Sequence, residues 1–321
     1  MYEIDYICFK GENVHILNKG NIIASTLGEG VKNHIFIYEK PLNQSNYKLN
    51  QEVIFDTWEK KWPVIGLALL SNEMIIASGR RFIVILKKDK NNKYQKHQEF
   101  FEDNWAEMIN IKELKNIPDH FAACGFRALI IFSKQNDKYQ ITFEINYDIL
   151  GTTRLSDFIE IKGKEKAFIV CSMKNILITR NKTILNKIEF HKDDEKSSSS
   201  NDYICEFNDE LFLVSGQRYI TLVNTNKNTF KQIKFLSGKK DNILDSTKIY
   251  KYDINTIILL SSKKIIIIQI FDDEKIQVNM TICIDDVYYG FLKFIKEEKS
   301  VYFQNKYSIS KLTFNNKMKY S

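Results

Sequence analysis

The stretch IASGRRFIVIL at 76–86 decides how the chain is read, because it recurs. AACGFRALIIF (122–132), IVCSMKNILIT (169–179), LVSGQRYITLV (213–223), LLSSKKIIIIQ (259–269) and the weaker VYFQNKYSISK (301–311) align with it without gaps. Each copy is an apolar strand end, a small or polar tight turn, a cation and a second apolar strand, which is the pattern of a β-hairpin. The equivalent residues Ala77, Ala123, Val170, Val214, Leu260 and Tyr302 are separated by 46, 47, 44, 46 and 42 positions. A further copy, IIAS, the insertion LGEGV and KNHIFIY, sits at 22–38, giving seven copies in 321 residues. Self-similarity at such a period belongs to repeat architectures.

The hairpin grows outward into a larger unit. Its second strand is continuously apolar, as in Phe82 to Leu86 and Ile265 to Ile268, which suits a strand covered on both faces. A short strand precedes each hairpin (Val64 to Leu70, Ile204 to Phe207, Lys248 to Tyr252), and a less apolar one follows a polar loop such as KKDKNNKYQ. Four strands per repeat, with helical periodicity nearly absent, predict an all-β, seven-bladed β-propeller of four-stranded antiparallel blades in a single domain, 1–321. The blades fall at about 13–56, 63–101, 105–147, 155–191, 202–236, 245–283 and 289–314, the last completed by residues 3–9. The final repeat has only three strands, and Ile4 to Phe9 is a strand without a partner in the first repeat. Pairing the two would remove an open edge, so the N-terminal strand is expected to close the last blade.

With repeat length, four-strand periodicity, the Ser-Gly endings Ser78-Gly79 and Ser215-Gly216 and the terminal latch in view, the chain resembles the WD40-like family of seven-bladed propellers over essentially its whole length. It departs from that family in lacking the Gly-His dipeptide. The Trp-Asp ending of the third strand is also replaced, for example by Leu86-Lys87, Phe132-Ser133 and Val223-Asn224. The resemblance implies that turns joining second and third strands share a top face with the connections between blades.

Composition limits the function classes. With 44% apolar residues, 22 Phe and 16 Tyr, the chain has material for a core. A net charge of +7 is spread along the sequence, a weak pointer to acidic partners. No secretory leader or apolar run long enough for a membrane helix is evident, which gives the expectation of an intracellular protein, cytoplasmic rather than nuclear. Cys8, Cys124, Cys171, Cys205 and Cys283 form no CxxC pair and read as reduced core residues. His15, His34, His97, His120 and His191 share no repeat position, and no nucleophile elbow, Walker loop or dinucleotide fingerprint occurs. The sequence therefore predicts no enzyme, cofactor or metal. Asp103, Asp157, Asp202 and Asp245 near blade entries read as turn residues.

Repetition gives the hairpin cations their interest. In register they are Lys32, Arg81, Arg127, Lys174, Arg218, Lys264 and Lys306, with Arg80 and Lys263 adjoining two of them. If the resemblance holds, one face carries a cationic rim able to attract an acidic or phosphorylated protein segment, or alternatively nucleic acid or acidic lipid. The bland reading is that these cations solvate tight turns. Trp58 and Trp62 (DTWEKKWP) and Trp105 (EDNWAE) occupy the neighbouring connections on that face. Together with Arg80, Arg81 and Arg127 they have the composition of an interaction hot spot, although Trp62 and Trp105 could instead pack between blades as core. The segment HKDDEKSSSSND, 191–202, reads as a mobile loop on the same face, a spacer or a phosphorylation site. The leading expectation is a non-catalytic protein-interaction scaffold.

Overall fold

The computed structural model describes residues 2–8, 13–17, 22–26, 33–40, 47–55, 64–105, 107–151, 154–172, 175–189, 201–216, 219–234, 248–261, 264–271, 276–283, 290–304 and 308–314. β1 (Tyr2–Cys8) is followed by β2 (Asn13–Leu17), β3 (Ile22–Thr26), β4 (Asn33–Glu39) and β5 (Lys48–Phe55). Next come β6 (Val64–Leu69), β7 (Ile75–Gly79), β8 (Phe82–Lys88) and β9 (Tyr94–Phe101), then β10 (Met108–Glu113), β11 (His120–Gly125), β12 (Ala128–Gln135) and β13 (Lys138–Asn146). One turn of helix, α1 (Tyr147–Leu150), leads to β14 (Leu155–Glu160), β15 (Ala167–Ser172), β16 (Asn175–Arg180) and β17 (Thr183–Glu189). β18 (Asn201–Glu206), β19 (Leu211–Gly216), β20 (Tyr219–Asn224) and β21 (Thr229–Lys234) precede β22 (Lys248–Lys251), β23 (Thr256–Leu260), β24 (Lys264–Ile270) and β25 (Ile276–Cys283). β26 (Gly290–Ile295), β27 (Ser300–Gln304) and β28 (Ser308–Phe314) end the series.

These strands pair as four-stranded sheets, six of them contiguous in sequence from β2-β3-β4-β5 to β22-β23-β24-β25. A further sheet has the order β1-β28-β27-β26, so the two ends of the chain share it. The resolved ladders are antiparallel; in the second sheet Ile75 faces Leu86 and Ser78 faces Ile83. This all-β arrangement of four-stranded antiparallel blades is that of a β-propeller.

The chain divides into two compact units. One comprises Tyr6–Tyr147 with Tyr307–Ile309, and the other Met1–Asp5, Asp148–Lys306 and Ser310–Ser321. In the first unit a core cluster joins the first and second sheets through Ile35, Ile37, Val53, Phe82, Val84 and Leu86. A second cluster joins the second and third sheets through Ile83, Ile85, Phe121, Ala123 and Ile130. The continuous apolar run of β8 is thereby explained: alternate residues enter different cores, so both faces of the strand are dry. The other unit repeats the device, with Ile266, Ile268 and Ile270 of β24 in one cluster and Ile265 and Ile267 in the next. Each such side chain contributes about 1.5–3 kcal/mol on leaving water.

Polar side chains stitch neighbouring sheets at their outer strands. The Gln51 carboxamide donates to the Tyr94 carbonyl and accepts from the Tyr94 N–H, both at 2.8 Å. Gln98 repeats this pairing with Tyr139, at 2.7 and 2.8 Å. Each glutamine follows a β-bulge: the register skips Asn50 between Gln51 and Leu49, and His97 between Gln98 and Lys96. The bulge turns the strand so that the amide reaches across to the next sheet. Further in, the Ser78 hydroxyl donates to the Met108 carbonyl at 2.8 Å. Asp157, only 2% exposed, accepts the Ile204 N–H at 2.9 Å and the Phe158 N–H at 2.8 Å, joining β14 to β18. It is a structural acceptor rather than a turn residue.

Candidate functional site

Within the unit holding residues 6–147, two hairpin turns, Gly79 to Phe82 and Gly125 to Ala128, flank the connection from β9 to β10. The Glu102 N–H donates to the Arg81 carbonyl at 3.0 Å, and the Phe126 N–H to the Glu107 carbonyl at 2.8 Å. Arg80 forms an antiparallel bridge with Glu107. The approach at Gly125 is close enough to require glycine, since a Cβ there would lie 1.8 Å from the Glu107 carbonyl oxygen. These contacts bring Arg80, Arg81 and Arg127 together around one strand connection.

Arg81 and Arg127 occupy equivalent turn positions and share an unusual backbone, with φ of 65° and 78°. The left-handed region costs an L-residue about 1–2 kcal/mol and normally selects glycine or asparagine. Arginine therefore holds both positions against its conformational preference. Arg81 lies 3.4 Å from the Asp103 carboxylate, and Arg127 is exposed. Glu102, Asp103 and Glu107 interleave with the arginines, so the local potential is less positive than the hairpin register alone suggests.

The remaining expected site residues separate into distinct outcomes. Trp105 is 2% exposed and packs edge-on against Phe132, with ring centroids 6.2 Å apart at 81°. It belongs to the core between the second and third sheets, so the expectation of Trp105 as a contact residue is corrected: a buried indole anchors the connection instead of presenting itself. Lys264 opens β24 half-buried, its carbonyl accepting the Ser261 N–H at 2.9 Å. Trp58, Trp62, Lys174 and Arg218, with Lys32, Lys263, Lys306 and the serines at 197–200, lie outside the described residues.

Three of the described histidines have local partners. His34 meets Glu52 at 2.6 Å, His97 the Asp137 carbonyl at 2.7 Å and His120 the Pro118 carbonyl at 2.7 Å. Among the described residues no group of three or more His, Cys, Asp or Glu side chains could hold a metal ion. Cys124 and Cys171 are buried, whereas Cys205 is half-buried and Cys283 exposed, so the reading of all cysteines as core residues is corrected for the last two. No described helix is long and apolar enough to cross a membrane.

Solved structures match along nearly the whole chain. The WD40 domain of Neurospora crassa Pan2 is similar with a TM-score of 0.65 at 9% identity, over 96% of this chain and 90% of that one. The likeness shows the β-propeller fold. A chain of the mitotic checkpoint complex aligns with this propeller at a TM-score of 0.69 and 7% identity, covering 98% of this chain and 91% of that one. A streptogramin B lyase aligns at a TM-score of 0.61 and 14% identity, covering 98% of each chain. The propeller fold thus also carries an enzyme. No family model and no curated protein matches the sequence.

Sequence reasoning overlooked one group of polar residues: Tyr203 and Cys205 on β18, Lys248 and Tyr250 on β22, and Lys293 on β26. They sit on the first strands of three consecutive sheets. The available signal was the recurrence of lysine or tyrosine on the short strands that precede the hairpins, NDYICE, KIYK and GFLKFI.

Proposed function

We propose that the sheets close into a single seven-bladed ring, one domain over 1–321, and that the protein is a non-catalytic interaction scaffold capturing an acidic or phosphorylated protein segment. The observation that carries this reading is the convergence of Arg80, Arg81 and Arg127 on the β9–β10 connection, two of them held in left-handed turn positions. Guanidinium groups offer forked donors that match carboxylate and phosphate oxygens. A similarly folded chain functioning within a multiprotein checkpoint complex is consistent with a scaffold role. Trp58, Trp62, Lys174, Arg218 and Lys264 extend the proposed surface, and the cytoplasm is its proposed location.

Fluorescence anisotropy with labelled Glu-rich peptides, with and without phosphoserine, tests this on the full chain. Arg81→Glu with Arg127→Glu should weaken binding at least about tenfold, given 1.5–3 kcal/mol for each charge-assisted hydrogen bond, while leaving the urea midpoint nearly unchanged. Arg127→Gly removes the charge and relieves the backbone, so it should weaken binding yet raise stability by about 1 kcal/mol. Peptide binding unaffected by these changes would refute the reading. Preferential, steeply salt-dependent binding of homopolymeric RNA or anionic vesicles would replace it with the polyanion alternative.

A further inference from the structure

In the unit containing residues 148–306, the turn between β18 and β19 lies against the end of β22. The Lys251 ammonium donates to the Phe207 carbonyl and sits over the Phe207 ring, 5.3 Å from its centroid. Beside this contact opens a recess of about 610 Å³, lined by residues Glu206 to Glu210 and by Lys251. Its volume falls within the range of about 300–1,000 Å³ typical of ligand sites.

The β18–β19 and β22–β23 turns are built alike. The Phe207 N–H donates to the Leu211 carbonyl at 3.0 Å, and the Tyr252 N–H to the Thr256 carbonyl at 2.9 Å. Asn208 Oδ1 accepts the Glu210 N–H at 3.0 Å, and Asp253 Oδ1 accepts the Asn255 N–H at 3.0 Å. Asn and Asp side chains commonly close turns in this way. Ile254 is then the equivalent of Asp209, and its side chain takes no part in closing the turn. It is 79% exposed, the most exposed large apolar side chain among the described residues. The Ile270 N–H donates to the Asn255 carbonyl at 2.7 Å, which brings the next residue, Phe271, to the same end of the sheet with 40% of its surface exposed. Apolar groups left in water next to a recess form a surface suited to contact with a partner.

Charge selects the occupant. Although the chain carries a net charge of +7, the recess presents Glu206, Asp209 and Glu210 against the single cation Lys251. The lysines around it are already engaged. Lys162 pairs with Asp209 at 2.7 Å, Lys251 is held by Phe207, and Lys164 donates to the Thr225 carbonyl at 3.1 Å. Glu206 acts on the Lys162 ammonium only at longer range. Among the described residues no ion pair or hydrogen bond engages the carboxylates of Glu206 and Glu210. We propose that this surface docks a basic segment of a partner protein. A Lys or Arg side chain enters the recess toward Glu206 and Glu210, and an adjacent apolar side chain of the segment covers Ile254 and Phe271. Opposite charge draws the segment in, and the apolar contact removes exposed surface from water. The site is independent of the arginine-bearing turns and stands or falls separately from the scaffold reading.

Fluorescence anisotropy of the full chain with labelled peptides in which Lys or Arg alternates with Leu or Phe tests it. Binding should be saturable. Glu206→Gln with Glu210→Gln should weaken it about tenfold or more, and Ile254→Ser about tenfold. Arg81→Glu with Arg127→Glu should leave it unchanged, which separates this surface from the arginine-bearing turns. A peptide of Lys and Gly alone should bind several-fold more weakly than one carrying Leu or Phe. Absence of saturable binding, equal binding by the Glu206→Gln/Glu210→Gln variant, or equal binding of the Lys-Gly peptide would overturn the proposal. Self-association of the wild-type chain that Ile254→Ser abolishes would assign the surface to a second copy and likewise overturn it. Should the carboxamide variant fail to fold, the wild-type chain alone decides the matter. Acetylating the lysines of the peptide should weaken binding about tenfold or more, and unchanged binding would overturn the site.

Discussion

Lys248→Met should make the protein more stable at neutral pH, an effect opposite to that of most substitutions of partly buried residues. The folded environment lowers this lysine from 10.5 to about 8. At 1.36 kcal/mol for each pH unit, that difference sets an upper bound of about 3 kcal/mol on the penalty of keeping the ammonium charged. The surface the side chain retains reduces this through solvent screening. Losing the stacking of the ammonium on Tyr203 offsets about 0.5–1 kcal/mol more. A net gain of about 1 kcal/mol remains. Its pH dependence follows from linkage: the folded pKa lies below the unfolded one, so between about pH 8 and 10.5 the unfolded wild-type chain binds more protons. The wild-type penalty is complete below pH 8 and fades as the pH rises through that window. The advantage of the variant should fade in parallel. Lys293, whose charge acts on Lys248, and Tyr203, whose ring faces its ammonium, remain in both proteins, so subtraction isolates Lys248. Urea unfolding of both proteins at intervals from pH 6.5 to 10 measures the difference. A variant less stable at neutral pH, or a difference independent of pH, would refute the argument.

Gly125→Ala should destabilise the unit of residues 6–147 by about 3 kcal/mol or more, because the new methyl would sit 1.8 Å from a backbone oxygen that cannot rotate away. Thermal unfolding checks this, and a melting point within a degree of wild type would contradict the packing described. Gln98→Leu should cost about 2 kcal/mol in urea titration by removing both hydrogen bonds to the Tyr139 backbone; a neutral result would show that the outer-strand amide contributes no net stability.

The blade pattern was legible because its cause is local. Continuous apolar runs such as Phe82 to Leu86 signalled strands covered on both faces, and the division of their side chains between two cores gives the reason. Short turns at fixed spacing marked the hairpins, and the unpaired strand near the N-terminus corresponds to β1 beside β28. The bulges that aim Gln51 and Gln98 were not legible, because nothing in KLNQEVIF or YQKHQEFF signals which residue drops out of the ladder. Trp105 illustrates a different difficulty. Its place in a strand connection suited either exposure or anchoring, and only the position of Phe132 resolves the choice.

By itself the sequence determined the repeat, the antiparallel hairpins and the register of the turn cations, all of which follow from side-chain periodicity and short-range turn chemistry. Tertiary structure decided which separated residues become neighbours. It placed Arg80, Arg81 and Arg127 around one connection, buried Trp105 and gathered Tyr203, Lys248, Tyr250 and Lys293 from three first strands. These outcomes depend on how one sheet packs against the next, and that packing joins positions about one repeat apart through contacts that no local pattern encodes.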